Sequence, residues 1–154
     1  MMVDKICAIC GKEICSMVSM DHVYPRAIYK WSREYLSKEE FRNLKAIIES
    51  TGNLVQTHPD CNYLKEDDTP DLNTLPLSNS KHNSLLFVSK AIEPAVTSYS
   101  EHKQKLLSSQ NGRCAGCGCT LQTGVLRRRN PDMPRRWENA CIVCHECNLK
   151  NNRF

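Results

Sequence analysis

Apolar positions fall into several short runs rather than one long pattern. Residues 20–24 and 123–129 read as short strand-forming runs. Within residues 26–50, Leu36, Phe41, Leu44, Ile47 and Ile48 recur at near-helical spacing, which predicts one or two amphipathic helices. Ser37-Lys38-Glu39-Glu40 has the form of a capping box opening the second of them. Residues 85–107 are helical in pattern, interrupted at Pro94. Residues 66–80 are acidic and carry Pro70, Pro76 and several Asn and Ser, the pattern of a linker or surface loop. There is no low-complexity tract. No stretch approaches the ~20 consecutive apolar residues of a membrane span, so a membrane partner is not expected.

The two ends of the chain follow one plan, and a repeat changes how every element is read. Cys7-Ala-Ile-Cys10 in the first half answers Cys114-Ala-Gly-Cys117 in the second. Asn53-Leu-Val-Gln-Thr-His58-Pro-Asp-Cys61-Asn62 answers Asn139-Ala-Cys-Ile-Val-Cys144-His-Glu-Cys147-Asn148. Each first pair predicts a knuckle turn. Each second pair belongs at the start of a short helix, beginning near Pro59 in one copy and near His145 in the other. The first copy carries the helical insertion 26–50, which the second replaces with the short loop 131–136.

Composition bears on what holds such small units together. Only 40% of the 154 residues are hydrophobic and 6% aromatic, thin for a large single core. Small units short of core need disulfides or metals. Met1-Met2-Val3-Asp4-Lys5 runs into a cysteine pair with no apolar leader, so the expected setting is cytoplasmic, where metal binding is the better default for ten cysteines. The formal charge of +4 falls to about +1 once two zinc sites are loaded, one of three cysteines with a histidine and one of four cysteines, all bound as thiolates. General basicity therefore carries no argument, but its distribution does. From 111 to 154 eight Arg and Lys face three Asp and Glu, against four and six over 66–110, so positive charge gathers at the C-terminal end, as expected if that end faces phosphates.

The first ligand set is Cys7, Cys10, His58 and Cys61; the second is Cys114, Cys117, Cys144 and Cys147. Thiolate and imidazole suit tetrahedral Zn²⁺, and four protein ligands leave no place for a reactive water, so both sites are expected to be structural. Cys15, Cys119 and Cys141 are left over, with Cys119 an alternative to Cys117 as ligand. His82 and His145 have no pattern around them and are expected to be solvent-exposed.

Catalysis would then come from elsewhere. Asp21-His22-Val23-Tyr24-Pro25 joins a carboxylate that can ligate a hard cation to an imidazole that can take a proton near neutral pH. Alone the pair is weak. With Cys7/Cys10, Asn53-Leu54, His58/Cys61, Asn62 and Lys65 around it, residues 1–65 resemble the HNH (ββα-metal, His-Me finger) endonuclease family.

The resemblance implies that His22 is the general base, Asp21 and Asn62 hold a catalytic Mg²⁺ or Mn²⁺, and Asn53 braces the loop of the base. Two departures stand out: His58 replaces the family's usual third zinc cysteine, and Asn62 is the alternative to histidine. Lys65 or Arg26 would touch a neighbouring phosphate. The implied fold is small α+β and zinc-stabilised. It comprises two ββα-metal or treble-clef-like modules, 1–65 and 111–154, joined by a linker and helices over 66–110.

Where Asp-His should stand, the second module has Arg127-Arg128-Arg129-Asn130-Pro131, and arginine is neither metal ligand nor base near neutral pH. This copy reads as catalytically dead and DNA-holding, with Arg127, Arg128, Arg129, Arg135 and Arg136 on phosphates or base edges. A solvated charged loop around a structural finger is the plainer alternative. The expected activity is metal-dependent hydrolysis of phosphodiester bonds in DNA, with the duplex as the expected form, by a restriction or phage-type endonuclease. One active site cuts one strand, so double-strand cleavage requires a homodimer or two encounters. Two other readings stand beside it: a zinc-finger protein that binds nucleic acid without cutting, and an RNase using the same site.

Overall fold

The computed structural model describes residues 5–65, 67–69 and 71–151; Met1–Asp4, Glu66, Pro70 and residues 152–154 lie outside them. Among these residues the first strand, β1 (Ser19–His22), pairs antiparallel with β2 (Leu54–Thr57), and Asp21 stands opposite Val55. Between the two strands run α1 (Ala27–Ser32), a 3-10 turn at Arg33–Tyr35, and α2 (Lys38–Ile48). The capping box forms: the Ser37 hydroxyl accepts from Glu40 N and the Glu40 carboxylate accepts from Ser37 N. Leu44 and Ile48, one turn apart on α2, are buried, so one stripe of this helix faces inward. The short α3 (Pro59–Lys65) follows β2, opening on a proline where no backbone donor is missed.

The acidic stretch contributes a 3-10 turn at Leu72–Thr74 with Leu72 buried, and Ser78 then caps α4 (Asn79–Ala91). The break before α5 (Glu93–Ser109) falls at Ile92, and Pro94 sits in the first turn of α5 instead of interrupting a helix. The second strand pair, β3 (Val125–Arg128) and β4 (Ala140–Val143), places Arg127 opposite Cys141 and leads into α6 (His145–Asn151).

One succession of contacts thus occurs twice. Ala8 N donates to Gln56 O at 2.9 Å and Ala115 N to Ile142 O at 3.0 Å. Val23 N donates to Asn53 O and Arg129 N to Asn139 O. Each knuckle closes on a glycine with positive φ, Gly11 at 74° and Gly118 at 77°. The protein is a small α+β molecule.

The helices of the middle segment pack between the repeats. α5 touches both α1 and β4, and one buried cluster takes Ile28, Trp31 and Ile48 from the first repeat, Leu85, Val88 and Tyr99 from the middle, and Leu126 and Ile142 from the second. Trp137 completes the seam: its indole stacks on Trp31 at 5.5 Å and on the His102 ring at 4.8 Å. Tyr35 accepts a hydrogen bond from Trp137 N at 2.9 Å, and Arg136 pairs with Glu34 at 3.4 Å. The inserted helices are therefore the surface on which the second repeat docks.

Candidate metal clusters and candidate active site

The four ligand atoms of Cys7, Cys10, His58 and Cys61 lie within 4.8 Å of one another, and so do those of Cys114, Cys117, Cys144 and Cys147. Both sets arise from the same local geometry, a knuckle and a helix start brought together by a strand pair. His58 turns Nδ1 towards the Cys10 sulfur (3.4 Å), while its Nε2 lies 3.0 Å from Glu13 O. That division of roles, one nitrogen among the ligands and the other donating to a carbonyl, is how a metal-bound imidazole is held. Cys117 and not Cys119 completes the second set; the Cys119 thiol lies beside it, hydrogen-bonded to the Cys117 and Cys144 sulfurs, and its backbone carbonyl accepts from Cys114 N. A Cβ on Gly116 would stand 2.8 Å from the Cys147 sulfur, so glycine is what lets this knuckle close on the cluster.

The charge balance of the clusters points the same way. Burial pushes the Cys7 and Cys114 thiols up. Backbone N–H donors, from Cys10, His58 and Ile9 in one and from Cys117, Cys144 and Gly116 in the other, outweigh it and bring both down to about 6. Burial and hydrogen bonds to Cys10 and Cys7 push Cys61 up to about 11, and a hydrogen bond to Cys144 with burial pushes Cys147 up to about 12. The thiolates of either set cannot share so small a space unless a cation replaces the protons. Each set can hold one metal ion, and its soft donors fit tetrahedral Zn²⁺.

Asp21 and His22 occupy adjacent positions on β1 and so face different neighbours. Ser19 and Asp21 meet α3, where Asn62 Nδ2 donates to Ser19 Oγ at 2.8 Å and Lys65 Nζ lies 3.2 Å from Asp21 Oδ2. Lys65 also donates to His22 O at 2.9 Å. It is thus spent inside the site, and Asn62 meets Ser19 through its amide nitrogen, leaving its Oδ1 without a hydrogen bond among the described residues. Asp21 Oδ2 is buried and has the Lys65 ammonium beside it but no donor in line. Burial raises the Asp21 carboxyl above its ordinary value, opposed by Lys65.

His22 points to the inserted helices. Its Nε2 lies 3.5 Å from Glu49 Oε2, at the C-terminal cap of α2. Glu49 is itself fixed by Arg26 (2.7 and 3.1 Å) and by the Tyr29 hydroxyl (2.7 Å), whose hydrogen bonds hold its carboxyl down at about 2. Burial, then the Arg26 charge, lowers the His22 imidazole below its ordinary value, against Glu49 and Asp21. Arg26 is therefore tied to Glu49, not free to meet a phosphate as the sequence suggests. Glu49 and Tyr29 carry no motif. The one hint is a carboxylate closing a helix at the end where the dipole disfavours it.

Asn53 is fully buried. Its side chain accepts from Tyr24 N (2.9 Å) and donates to Tyr24 O (2.9 Å) and Ile48 O (2.8 Å), pinning the turn that follows His22. Asn139 does the same in the second repeat, accepting from Asn130 N and donating to Asn130 O, both at 3.0 Å. His22 pairs with Leu54, the residue after Asn53, and Arg128 with Ala140, the residue after Asn139. By this register Arg127 and Arg128 replace Asp21 and His22. Arg127 reaches Asn148 Oδ1 at 2.6 Å, Arg129 donates to Ala140 O at 3.0 Å, and Arg128 to Met133 O at 3.4 Å. With Arg136 paired to Glu34, Arg135 is the arginine of the five with no hydrogen bond or carboxylate partner among the described residues.

Asp21 and His22 open into one cleft of about 330 Å³, also lined by Lys30, Asp67, Leu126 and Arg135. Asp67 lies in no motif; its carboxyl is raised by burial, opposed by Lys103 and by the Leu126 N–H. His82 and His145 are half-buried, not exposed as expected. No described helix is long and apolar enough to cross a membrane. In comparisons with known proteins, the chain matches no family model, no curated protein and no solved structure.

Proposed function

We propose that this protein is a zinc-stabilised, metal-dependent DNA endonuclease of the ββα-metal type. The observation that carries the reading is the placement of Asp21 and His22 side by side at the end of β1, both open to one cleft, on a turn clamped by the buried Asn53. Zn²⁺ in the two thiolate-rich sets would fix each knuckle to its helix. The first repeat carries the chemistry. The second keeps the frame and the bracing asparagine but has arginines in place of the reactive pair, so it has neither base nor metal ligand at those positions.

In the proposed reaction His22 accepts the proton of a water that attacks the phosphorus in line with the leaving 3′ oxygen. A lowered imidazole keeps the base unprotonated at neutral pH. Asp21, with Asn62 on the facing helix, would hold a divalent Mg²⁺ or Mn²⁺. That cation supplies charge stabilisation for the phosphorane-like transition state and the leaving oxygen. Lys65 neutralises Asp21 and fixes the His22 carbonyl, which orients the dipeptide.

The test is plasmid cleavage by purified protein with Mg²⁺ or Mn²⁺, beside an EDTA control and His22→Ala. Nicking or linearisation that needs the metal and falls at least about 10²-fold in the variant supports the enzyme. Retained DNA binding with no cleavage by the native protein, on varied DNA substrates, would leave a binding protein instead. Faster cutting of single-stranded RNA than of duplex DNA would reassign the substrate.

A further inference from the structure

We infer that the catalytic cleft is a composite of both repeats, in which Arg135 of the degenerate second repeat holds a substrate phosphate against His22. The inference rests on the nuclease reading and adds to it a phosphate subsite supplied from the far end of the chain.

The first support is position. Arg135 and Leu126 come from the second repeat, yet they line the same cleft as Asp21 and His22. The cleft is therefore incomplete without residues more than 100 positions away in sequence. The second support is the accounting of the arginines. Arg127, Arg128 and Arg129 donate to Asn148, Met133 and Ala140, and Arg136 is paired with Glu34. Arg135 is exposed and has no carboxylate partner among the described residues, and the like charge of Arg128 acts against its own. An uncompensated guanidinium in a cleft draws an anion, and its planar donors suit two phosphate oxygens.

The charges facing the cleft divide by sign and role. Asp21 is paired with Lys65 and Arg26 with Glu49, while burial raises the Asp67 carboxyl, opposed by the Lys103 charge and the Leu126 N–H. Lys30 and Arg135 remain as cations without an ion pair among the described residues, so they define the phosphate side. The third support is rigidity. The Trp31–Trp137 stack and the Tyr35–Trp137 hydrogen bond lie two residues along the chain from Arg135, and they fix its backbone against α1. A guanidinium held by the fold stabilises developing charge without reorganising at the moment of reaction.

The experiment compares native protein, Arg135→Ala and Lys90→Ala. Lys90, on α4, loses the same charge away from the cleft. Cleavage is measured under saturating duplex DNA with Mg²⁺, with and without millimolar guanidinium. In parallel, inorganic phosphate is titrated while the His22 ring is followed by NMR. The expected result is a fall in kcat of about 10²-fold for Arg135→Ala, partly restored by guanidinium, with Lys90→Ala unchanged. Phosphate should perturb His22 in the native protein and at least fivefold more weakly in Arg135→Ala. Unaltered kcat in Arg135→Ala, or a His22 response to phosphate that does not depend on Arg135, overturns the inference. If the native protein cuts no substrate while phosphate still reaches His22 through Arg135, the subsite stands and the nuclease reading falls.

Discussion

At the scale of single residues, the reactive candidate is governed by groups that the Asp-His motif does not contain. Burial and the Arg26 charge lower the His22 imidazole, while Glu49 and Asp21 raise it, and the net position is below the ordinary 6.5. A general base works in its neutral form, which a lowered value preserves to more acid pH. Activity should then be held as pH falls through 6.5 and be lost only below it. Replacing Glu49 by Gln removes one of the two groups that favour the charged imidazole, so the acid limb of kcat/KM should move further down. The plateau should fall about tenfold, because a weaker base drives proton transfer less well. The pH profiles of the native protein and Glu49→Gln check both statements together. A limb unmoved by the substitution would separate Glu49 from the base, and a native limb at or above 6.5 would mean that burial and Arg26 do not set it.

At the scale of elements, each strand pair is finished by one asparagine whose amide replaces several backbone partners. Asn53→Ala would leave Tyr24 N, Tyr24 O and Ile48 O without their partner in a fully buried place. Buried orphans cost about 1–3 kcal/mol each, so the loss should reach about 3 kcal/mol after relaxation. Asn139→Ala should cost about 1 kcal/mol, because its loop is more exposed and water can take over. Denaturant unfolding of the two variants tests the contrast, and equal losses would contradict it.

The same elements show what the sequence alone reveals. The Cys-x-x-Cys pairs, the strand runs of β1 and β3 and the capping box are local signals and form near where the spacing places them, whereas β2 and β4 carry no such reading in the sequence. The repeat, read from two asparagines and four ligands, reappears in the register of β1–β2 and β3–β4. Glu49, Tyr29 and Asp67 are not legible there, because their roles depend on how α2 and the turn after α3 pack, not on neighbours in the chain. The same holds for the arginines: a cluster in sequence reads as one basic patch, but the register sends most of them to backbone and side-chain acceptors within the fold.

At the scale of the whole molecule, the chain carries two metal sets but the main buried cluster runs through both repeats. Leu126, Ala140 and Ile142 of the second repeat pack into it with Trp31, Leu85 and Tyr99, and only Cys114, Cys141 and Val143 form a separate small cluster near the second set. Two independent units would bury their apolar faces separately and unfold separately. Here the loss of either strand pair exposes residues that the other repeat and the middle helices need. Metal binding free energy becomes folding free energy where the unfolded chain cannot hold the ion, so each ion stabilises the whole cluster and not its own repeat alone. Heating the zinc-loaded protein should therefore give one calorimetric transition, with both ions released to a colorimetric indicator across that same interval. Removing the ions with a strong chelator should abolish the transition rather than shorten it. Two resolved steps, each releasing one ion, would mean that the repeats are separate units. In that event the cleft shared by His22 and Arg135 would have no rigid frame to hold it.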